Sequence, residues 1–238
     1  MSGHSKWSTI KHKKAKEDAK RGKIFTKLIR EITISAKDGG DLNGNARLRD
    51  VVDKAKAANM PQENIVRAIK KGTGELEGVN YEAAMYEGYG PHGVAVIVET
   101  LSDNKKRTVA DVRHVFTKMG GSMGEGGAVA WMFEHKGVIK IDAQDLTEDY
   151  LLEKMLDLDI EDVKVMDNIA AISCDIKNLD LVKKGVIDLG FKVEDASIEW
   201  MPKNSMTLDD DTQEEKVYKL LEALEELDDV QNVYVNLA

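Results

Sequence analysis

Lysine side chains dominate the first thirty positions of the sequence and are its most concentrated chemical feature. Ten Lys and Arg stand there against Glu17 and Asp18, which gives this segment a net charge of +8. Residues 31–78 are neutral, whereas residues 79–238 hold sixteen basic against thirty-three acidic side chains. A basic end on an acidic chain favours a nucleic-acid contact at that end, because Lys and Arg displace the counterions condensed on phosphate.

The spacing of these lysines predicts one cationic face. If residues 11–30 are helical, Lys13, Lys16, Lys20, Lys23 and Lys27 fall three or four apart and form a lysine ridge, while apolar residues hold the opposite side. Trp7 and the nearby imidazoles add groups that stack on an exposed base. The alternative is a solvated lysine face with Trp7 packed on its own domain. The predicted nucleic-acid contacts here are His4, Lys6, Trp7, Lys11, His12, Lys13, Lys14, Lys16, Lys20, Arg21, Lys23 and Lys27.

A second, weaker basic site is predicted at the start of a helix near residue 107. Arg107 and Arg113 lie close to Lys105 and Lys106, and we include both arginines among the predicted nucleic-acid contacts. Solvated residues near a helix terminus are the alternative interpretation of this group.

The remaining reactive residues predict no catalytic or metal site. The glycine-rich segments 88–93 and 120–127 lack the spacing of a phosphate-binding loop before a helix, so turns are expected. Cys174 lies in an apolar run with no neighbouring His and is expected in the core. Asp228 and Asp229 are expected to be solvated acids beside a helix. We therefore expect no enzyme, cofactor, metal or small-molecule substrate, and an enzyme using the glycine loops is the least favoured alternative.

The elements that must position these residues change in kind along the chain. Three amphipathic helices are expected within residues 17–72, and a glycine-rich, charged linker follows. Strand and helix patterns then alternate, including an apolar strand at Ala128–Phe133, a split βαβ series over residues 137–200 and a short strand at Ser205–Leu208.

This order predicts an α+β protein of three domains. An N-terminal helical bundle occupies residues 1–78, and two α/β sandwich domains follow it. The first is discontinuous, with residues 79–133 plus 203–238, because one terminal helix and strand bury too little surface to fold alone. The second, ferredoxin-like, occupies residues 134–202 and is inserted into the first.

Composition places the protein inside the cell. No apolar run reaches the length of a membrane span, and the start of the sequence lacks the apolar core of a secretory signal. With a single cysteine, neither a disulfide framework nor a cysteine-rich zinc site is possible. A cytoplasmic protein without a membrane partner is expected.

Several motifs along the chain closely resemble the YebC family. They are Gly3-His4-Ser5-Lys6-Trp7, the segment 19–27 (AKRGKIFTK), Tyr86-Glu87-Gly88-Tyr89-Gly90-Pro91, Ser102-Asp103-Asn104, Arg107-Thr108 and Arg113-His114. This family includes bacterial YebC proteins and the mitochondrial translational activator of cytochrome oxidase subunit one. The resemblance implies three domains in the order predicted above.

The same resemblance implies a regulator of gene expression with nucleic acid as its partner. Members are generally labelled transcriptional regulators that bind DNA, and others resemble ribosome-associated factors that assist translation through proline-rich stretches. Lys11-His12-Lys13-Lys14 stands where many relatives carry more Arg. Since Lys lacks the bidentate fork of Arg, base-specific reading is not expected, and ribosomal RNA is the alternative to promoter DNA.

Overall fold

The computed structural model describes residues 21–208 and 210–237, and at Arg21 it describes the backbone only. Within these residues the protein is a mixture of helices and two antiparallel sheets, which confirms the predicted α+β class. In chain order the elements are α1 (Arg21–Ser35), α2 (Ala46–Ala57), α3 (Gln62–Gly72), β1 (Glu82–Tyr89), β2 (Ala95–Ser102), α4 (Lys105–Lys118), β3 (Ser122–Met123), β4 (Phe133–Asp142), α5 (Glu148–Lys154), β5 (Asp162–Met166), β6 (Ile169–Cys174), α6 (Leu179–Asp188), β7 (Val193–Pro202), α7 (Asp211–Glu225) and β8 (Val230–Val235).

Helices α1, α2 and α3 form a small bundle around the buried Ile32, Leu48 and Ile65. The Asn45 side chain caps α2 by accepting a hydrogen bond from the backbone amide of Leu48, and Pro61 directly precedes α3. Helices α1 and α3 approach closely at Gly72, where a Cβ atom would collide with the Thr33 carbonyl oxygen.

The first sheet has the strand order β3-β1-β2-β8 and carries two helices on one face. Val94, Val96 and Val98 pack with residues of α4 and α7, including Phe116 and Leu220. The alternate residues of β2 face the other side and join a smaller cluster around Phe133, Tyr234 and Trp200. The alternation of a β-strand therefore divides β2 between two cores.

The second sheet has the order β5-β6-β4-β7, and all of its strand pairs are antiparallel. Its helices α5 and α6 contribute to a core that includes Ile139, Ile172 and Val186. This strand order, with a helix after β4 and another after β6, is that of a ferredoxin-like sandwich, as the sequence pattern predicts.

Two predicted strands are wrong. Residues 128–133 form no strand of their own, because Ala130–Met132 is a short 3-10 helix and Phe133 already begins β4. The segment at Ser205–Leu208 makes only an isolated bridge between Met206 and Leu237. The glycine-rich segment 120–127 contains the two-residue strand β3, which the sequence does not signal.

Polar contacts join the three parts of the fold. Glu99 of β2 accepts hydrogen bonds from Trp200, Asn232 and Tyr234, and so connects the two sheets. Burial raises the pKa of the Tyr234 phenol well above its usual range, and the neighbouring Glu99 carboxylate adds to this effect. The bundle contacts the second sheet through an ion pair of 3.0 Å between Lys54 and Asp195.

No helix in the described part of the chain is both long enough and apolar enough to cross a lipid bilayer.

Candidate nucleic-acid interface

Nine of the predicted contact residues lie outside the described residues, and of Arg21 only the backbone is described. The nine are His4, Lys6, Trp7, Lys11, His12, Lys13, Lys14, Lys16 and Lys20. Four predicted contacts remain whose side chains the structure describes: Lys23 and Lys27 on α1, and Arg107 and Arg113 on α4.

Lys23 and Lys27 lie one turn apart on α1 and face the C-terminal end of α7. The Lys23 ammonium group contacts the Glu226 carboxylate and lies 3.2 Å from the Glu226 carbonyl oxygen. Lys27 donates to the Glu225 carbonyl oxygen at 3.3 Å. The last carbonyls of a helix lack partners within it and carry partial negative charge, so they attract cations. These two lysines of the ridge therefore hold the bundle against the first sheet's domain.

Arg30, one turn further along the same face of α1, makes the most extensive contacts of this group. Its Nη1 atom donates to the Asp229 carboxylate at 2.7 Å and to the Leu101 carbonyl oxygen at 3.0 Å. The guanidinium also stacks over the Tyr81 ring at 5.4 Å from its centroid. Sequence reasoning did not select Arg30, although its spacing from Lys23 and Lys27 places it on the same helical face.

Asp229 is the centre to which these contacts converge. The residue is only 6% exposed, and its carboxylate accepts hydrogen bonds from Arg30 and Arg107 and from two hydroxyl groups, so the expectation of a solvated acid is wrong. Burial alone would raise the pKa of this carboxyl group, but the hydrogen bonds from Thr108 and Arg107 and the charge of Arg30 outweigh it and lower the pKa. We call this set the Asp229 cluster; its members are Arg30, Ser102, Arg107, Thr108 and Asp229.

The residues of the second predicted basic site have different surroundings in the structure. Arg107 donates to Asp229 at 2.8 Å and to Asp103 at 2.7 Å, and these hydrogen bonds raise its pKa. Lys105 pairs with Glu82 at 2.6 Å. Arg113 is exposed, and no residue of the described ranges forms an ion pair with it. Of the two predicted arginine contacts, Arg107 is held mainly by acids of its own chain and Arg113 faces solvent.

A further basic surface, which sequence reasoning did not select, lies on α3. Arg67, Lys70 and Lys71 are exposed on this helix, while Ile65 and Ala68 turn into the bundle core. Their spacing of three and four residues was available in the sequence as a signal. Within residues 21–208 and 210–237, none of these three side chains forms an ion pair.

The glycine-rich loop before β4 is closed by a carboxylate of its own chain. Glu87 accepts hydrogen bonds of 2.7 Å from the backbone amides of Gly127, Val129 and Ala130. Burial would raise the pKa of Glu87, but these three bonds outweigh it and lower the pKa. The amides that could hold a phosphate are therefore already occupied.

The other reactive groups occupy structural positions. Cys174 is fully buried, and burial raises the pKa of its thiol to about 11, so the reactive thiolate is scarce at neutral pH. Among the described side chains, no group of three or more His, Cys, Asp and Glu is arranged to hold a metal ion.

Comparison with known proteins places these observations in a family. A family model described as the TACO1/YebC protein N-terminal domain matches residues 5–75, and one described as the TACO1/YebC second and third domain matches residues 81–237. A protein of Desulfosudis oleivorans named "Probable transcriptional regulatory protein" is 50% identical over 99% of this chain and 96% of its own length. One of Chlorobaculum tepidum with the same description is 52% identical over 100% of this chain and 95% of its own.

A solved structure supports the same assignment. The crystal structure of a conserved hypothetical protein from Aquifex aeolicus has a TM-score of 0.86 and 48% sequence identity, and the match covers 93% of this chain and 91% of that one. Since the two family models together span nearly the whole sequence, this chain belongs to the TACO1/YebC family.

Proposed function

We propose that the protein is a regulator of gene expression that binds nucleic acid phosphates through its basic N-terminal residues, chiefly Lys13, Lys16 and Lys20 of the lysine ridge. The observation that carries this proposal is the separation of charge, with +8 in the first thirty residues of a chain whose net charge is -9. The names of relatives that match over almost their full length support transcription as the regulated process.

The described structure is consistent with a positioning role for α1. Lys23, Lys27 and Arg30 fix this helix against the end of α7 and the Asp229 cluster. The exposed cations of α3 add positive charge to the same bundle. Lysine ammonium groups are point charges that contact phosphates without reading the base sequence. The proposed interface therefore contacts the phosphate backbone of the nucleic acid. The choice of a particular binding site on that nucleic acid depends on another feature.

Charge reversal in the ridge tests this proposal. The variant Lys13→Glu, Lys16→Glu, Lys20→Glu spares Lys23, whose ammonium group contacts Glu226. We expect it to lose binding to duplex DNA and to structured RNA, measured by fluorescence anisotropy over a range of salt concentrations. If three phosphate contacts are removed, the slope of log K against log salt falls by about 2 to 3.

A matched control separates ridge contacts from total charge. Lys118→Glu, Lys184→Glu, Lys192→Glu changes three exposed lysines outside the bundle and produces the same net charge. We expect this control to bind much more tightly than the ridge variant. Equal affinities for the two triple variants would exclude the ridge as the contact.

Ribosomal RNA is the alternative target within the same proposal. A net charge of -9 is low for a protein that relies on duplex DNA, and a lysine surface suits the irregular phosphates of folded RNA. Sedimentation of cell lysate through sucrose at low salt distinguishes the two targets. Absence from ribosomal fractions, together with a sequence-specific shift on promoter DNA, would exclude the ribosomal reading.

A further inference from the structure

A cleft of about 830 Å³ lies where the helical bundle and the two sheets meet. Helices α1 and α2 form one wall of this cleft, and strands β7 and β8 form the others. Cavities of this size accommodate ligands of several residues or a drug-sized molecule. The central cleft, as we call it, is lined by none of Lys23, Lys27, Arg107 and Arg113, the four predicted contacts whose side chains the structure describes.

The cleft follows the edge of β7 and does not lie on one face of it. Six consecutive residues of this strand, 194–199, line the cleft. Consecutive side chains of a strand point to opposite faces, so the only feature that all six share is the strand edge. Ala196 packs toward α6, whereas Glu199 lies on the opposite face beside Lys140, which agrees with this geometry.

No strand of the described part of the chain is hydrogen-bonded to that edge, although β8 lies close to part of β7. Strand β7 is the outermost strand of the second sheet and pairs only with β4. Strand β8, the outermost strand of the first sheet, lines the cleft with its consecutive residues 232–234. An open strand edge presents backbone donors and acceptors to which another extended segment adds.

The charged side chains around the cleft determine which segment fits. Six acidic and three basic residues line it; Asp195 pairs with Lys54 at 3.0 Å and Glu199 with Lys140 at 2.6 Å. Asp50 and Asp180 are exposed at the cleft. The acidic residues are Glu31, Asp50, Asp180, Glu194, Asp195 and Glu199, and the basic ones are Arg47, Lys54 and Lys140. This excess of negative charge repels acidic segments and attracts cationic ones.

Two more observations point to a ligand. Ser35 of α1 lines the cleft and is 1% exposed, yet its hydroxyl group has no hydrogen-bond partner among the described residues. Buried hydroxyl groups are rarely left without a partner. Ile176 and Ile198 line the same cleft with 37% and 48% of their surface exposed, which provides apolar contact beside the acids.

We propose that the central cleft binds an extended, Lys- or Arg-rich segment of a protein partner, which adds as a strand to the edge of β7. Backbone hydrogen bonds hold the segment, its basic side chains face the acidic residues, and its alternate apolar side chains contact Ile176 and Ile198. This interaction goes beyond nucleic-acid binding, and neither Lys23 nor Lys27, the two lysine-ridge residues whose side chains the structure describes, lines the cleft.

Synthetic peptides test the proposal with the full-length protein. The probe is a decapeptide that alternates Lys with Val or Thr, and calorimetry at low salt measures its affinity. Two further versions carry N-methyl groups on either the odd or the even backbone amides, which removes the hydrogen-bond donors of one edge. We expect one or both methylated peptides to lose binding at least tenfold, and a peptide with Glu in place of Lys not to bind.

Variants of the protein locate the site. Asp50→Asn with Asp180→Asn should weaken the Lys peptide by on the order of tenfold, because charge complementarity is reduced. The control Glu153→Gln with Asp188→Asn neutralises two exposed acids on α5 and α6 outside the cleft and should bind as the parent does.

Three outcomes would overturn the proposal. Equal binding of both methylated peptides and the parent peptide excludes strand addition. Equal effects of the two variant pairs exclude the cleft as the site. Spermine binding as tightly as the peptide would show a site for small polycations and not for a polypeptide.

Discussion

The Arg30 guanidinium donates a hydrogen bond of 2.7 Å to the Asp229 carboxylate and joins the helical bundle to the first sheet. Both side chains are nearly buried, with 11% and 8% of their surface exposed. Removing one partner of such a pair leaves an uncompensated charge, which costs far more than the pair contributes. The contact therefore couples the unfolding of the helical bundle to that of the first sheet.

Replacing Arg30 should uncouple the bundle from the sheets. We expect Arg30→Gln to lower the free energy of unfolding by about 3 kcal/mol, because Asp229 loses a buried cationic partner. Arg30→Lys keeps the charge but not the planar fork of the guanidinium group, so its free energy of unfolding should lie between those of the wild-type protein and Arg30→Gln. Arg67→Gln changes an exposed arginine of the same bundle and should be nearly neutral. Calorimetry in which Arg30→Gln and Arg67→Gln melt alike would contradict this role.

Neutralising Asp229 should change the pH dependence of stability. The pKa of this carboxyl group is lowered in the folded protein, so its contribution is complete above the pKa of the unfolded chain. That contribution is lost as the pH falls through the lower, folded pKa. At pH 7 we expect Asp229→Asn to be less stable by about 3 kcal/mol, since Arg30 is left without its carboxylate.

Denaturant titrations at several pH values check this expectation. The difference between the wild-type protein and Asp229→Asn should shrink as the pH is lowered below about 4, because the Asp229 carboxyl group of the unfolded chain then takes up a proton before that of the folded protein does. A difference that stays constant from pH 7 to pH 3 would show that the substitution acts through packing and not through charge.

Most helices and strands could be predicted from the sequence because their signals are local. Helices α2 and α3 lie within the predicted residues 17–72, and the elements from β4 to β7 follow the split βαβ order predicted over residues 137–200. The strand predicted at 128–133 is wrong because Glu87, about forty residues earlier, accepts hydrogen bonds from the backbone amides of Val129 and Ala130 and holds them out of a sheet.

The candidate site was predicted only in part, for a similar reason. The charge and spacing of the lysines are visible in the sequence, but the acids that Lys23 and Lys27 approach lie about two hundred positions later. Asp229 appeared solvated because its arginine partners come from two distant helices. Long-range pairing of charges leaves no periodic signal in the chain.

The Glu87 carboxylate should control the order of the glycine-rich loop. Glu87→Gln retains one acceptor oxygen, so at least one of the three bound amides is left without its partner. A buried donor without a partner costs about 1 to 3 kcal/mol, and we expect the loss of stability to lie in this range. Hydrogen exchange should accelerate at residues 124–130 and remain unchanged in the helical bundle.

A control for the loop prediction uses an acid on the same strand. Glu82→Gln changes an exposed residue of β1 that pairs only with Lys105 among the described side chains. Exposed ion pairs contribute little, so its exchange pattern should match that of the wild-type protein. Equal acceleration in both variants would mean that the Glu87 contacts do not order the loop.

Residues 134–202 should fold as an independent inserted domain. The core of the second sheet, from Ile139 to Val186, lies wholly within this segment, whereas Phe133 belongs to the cluster beside β2. The two ends of the segment are also neighbours, since Phe133 pairs with Pro202 in adjacent antiparallel strands. Because the inserted segment leaves and re-enters the domain of the first sheet at the same place, that domain needs no rearrangement to accommodate it.

Two complementary proteins test the insertion. The fragment 134–202 should unfold cooperatively and give dispersed amide resonances. In the second protein, an Asn-Gly turn replaces residues 134–201 and joins Phe133 to Pro202, because a two-residue turn connects adjacent antiparallel strands. This protein should retain the first sheet, whose core on the α4 and α7 side lies outside the deleted segment. Random-coil spectra for the fragment, or loss of the first sheet in the shortened protein, would show that the two sheets fold only together.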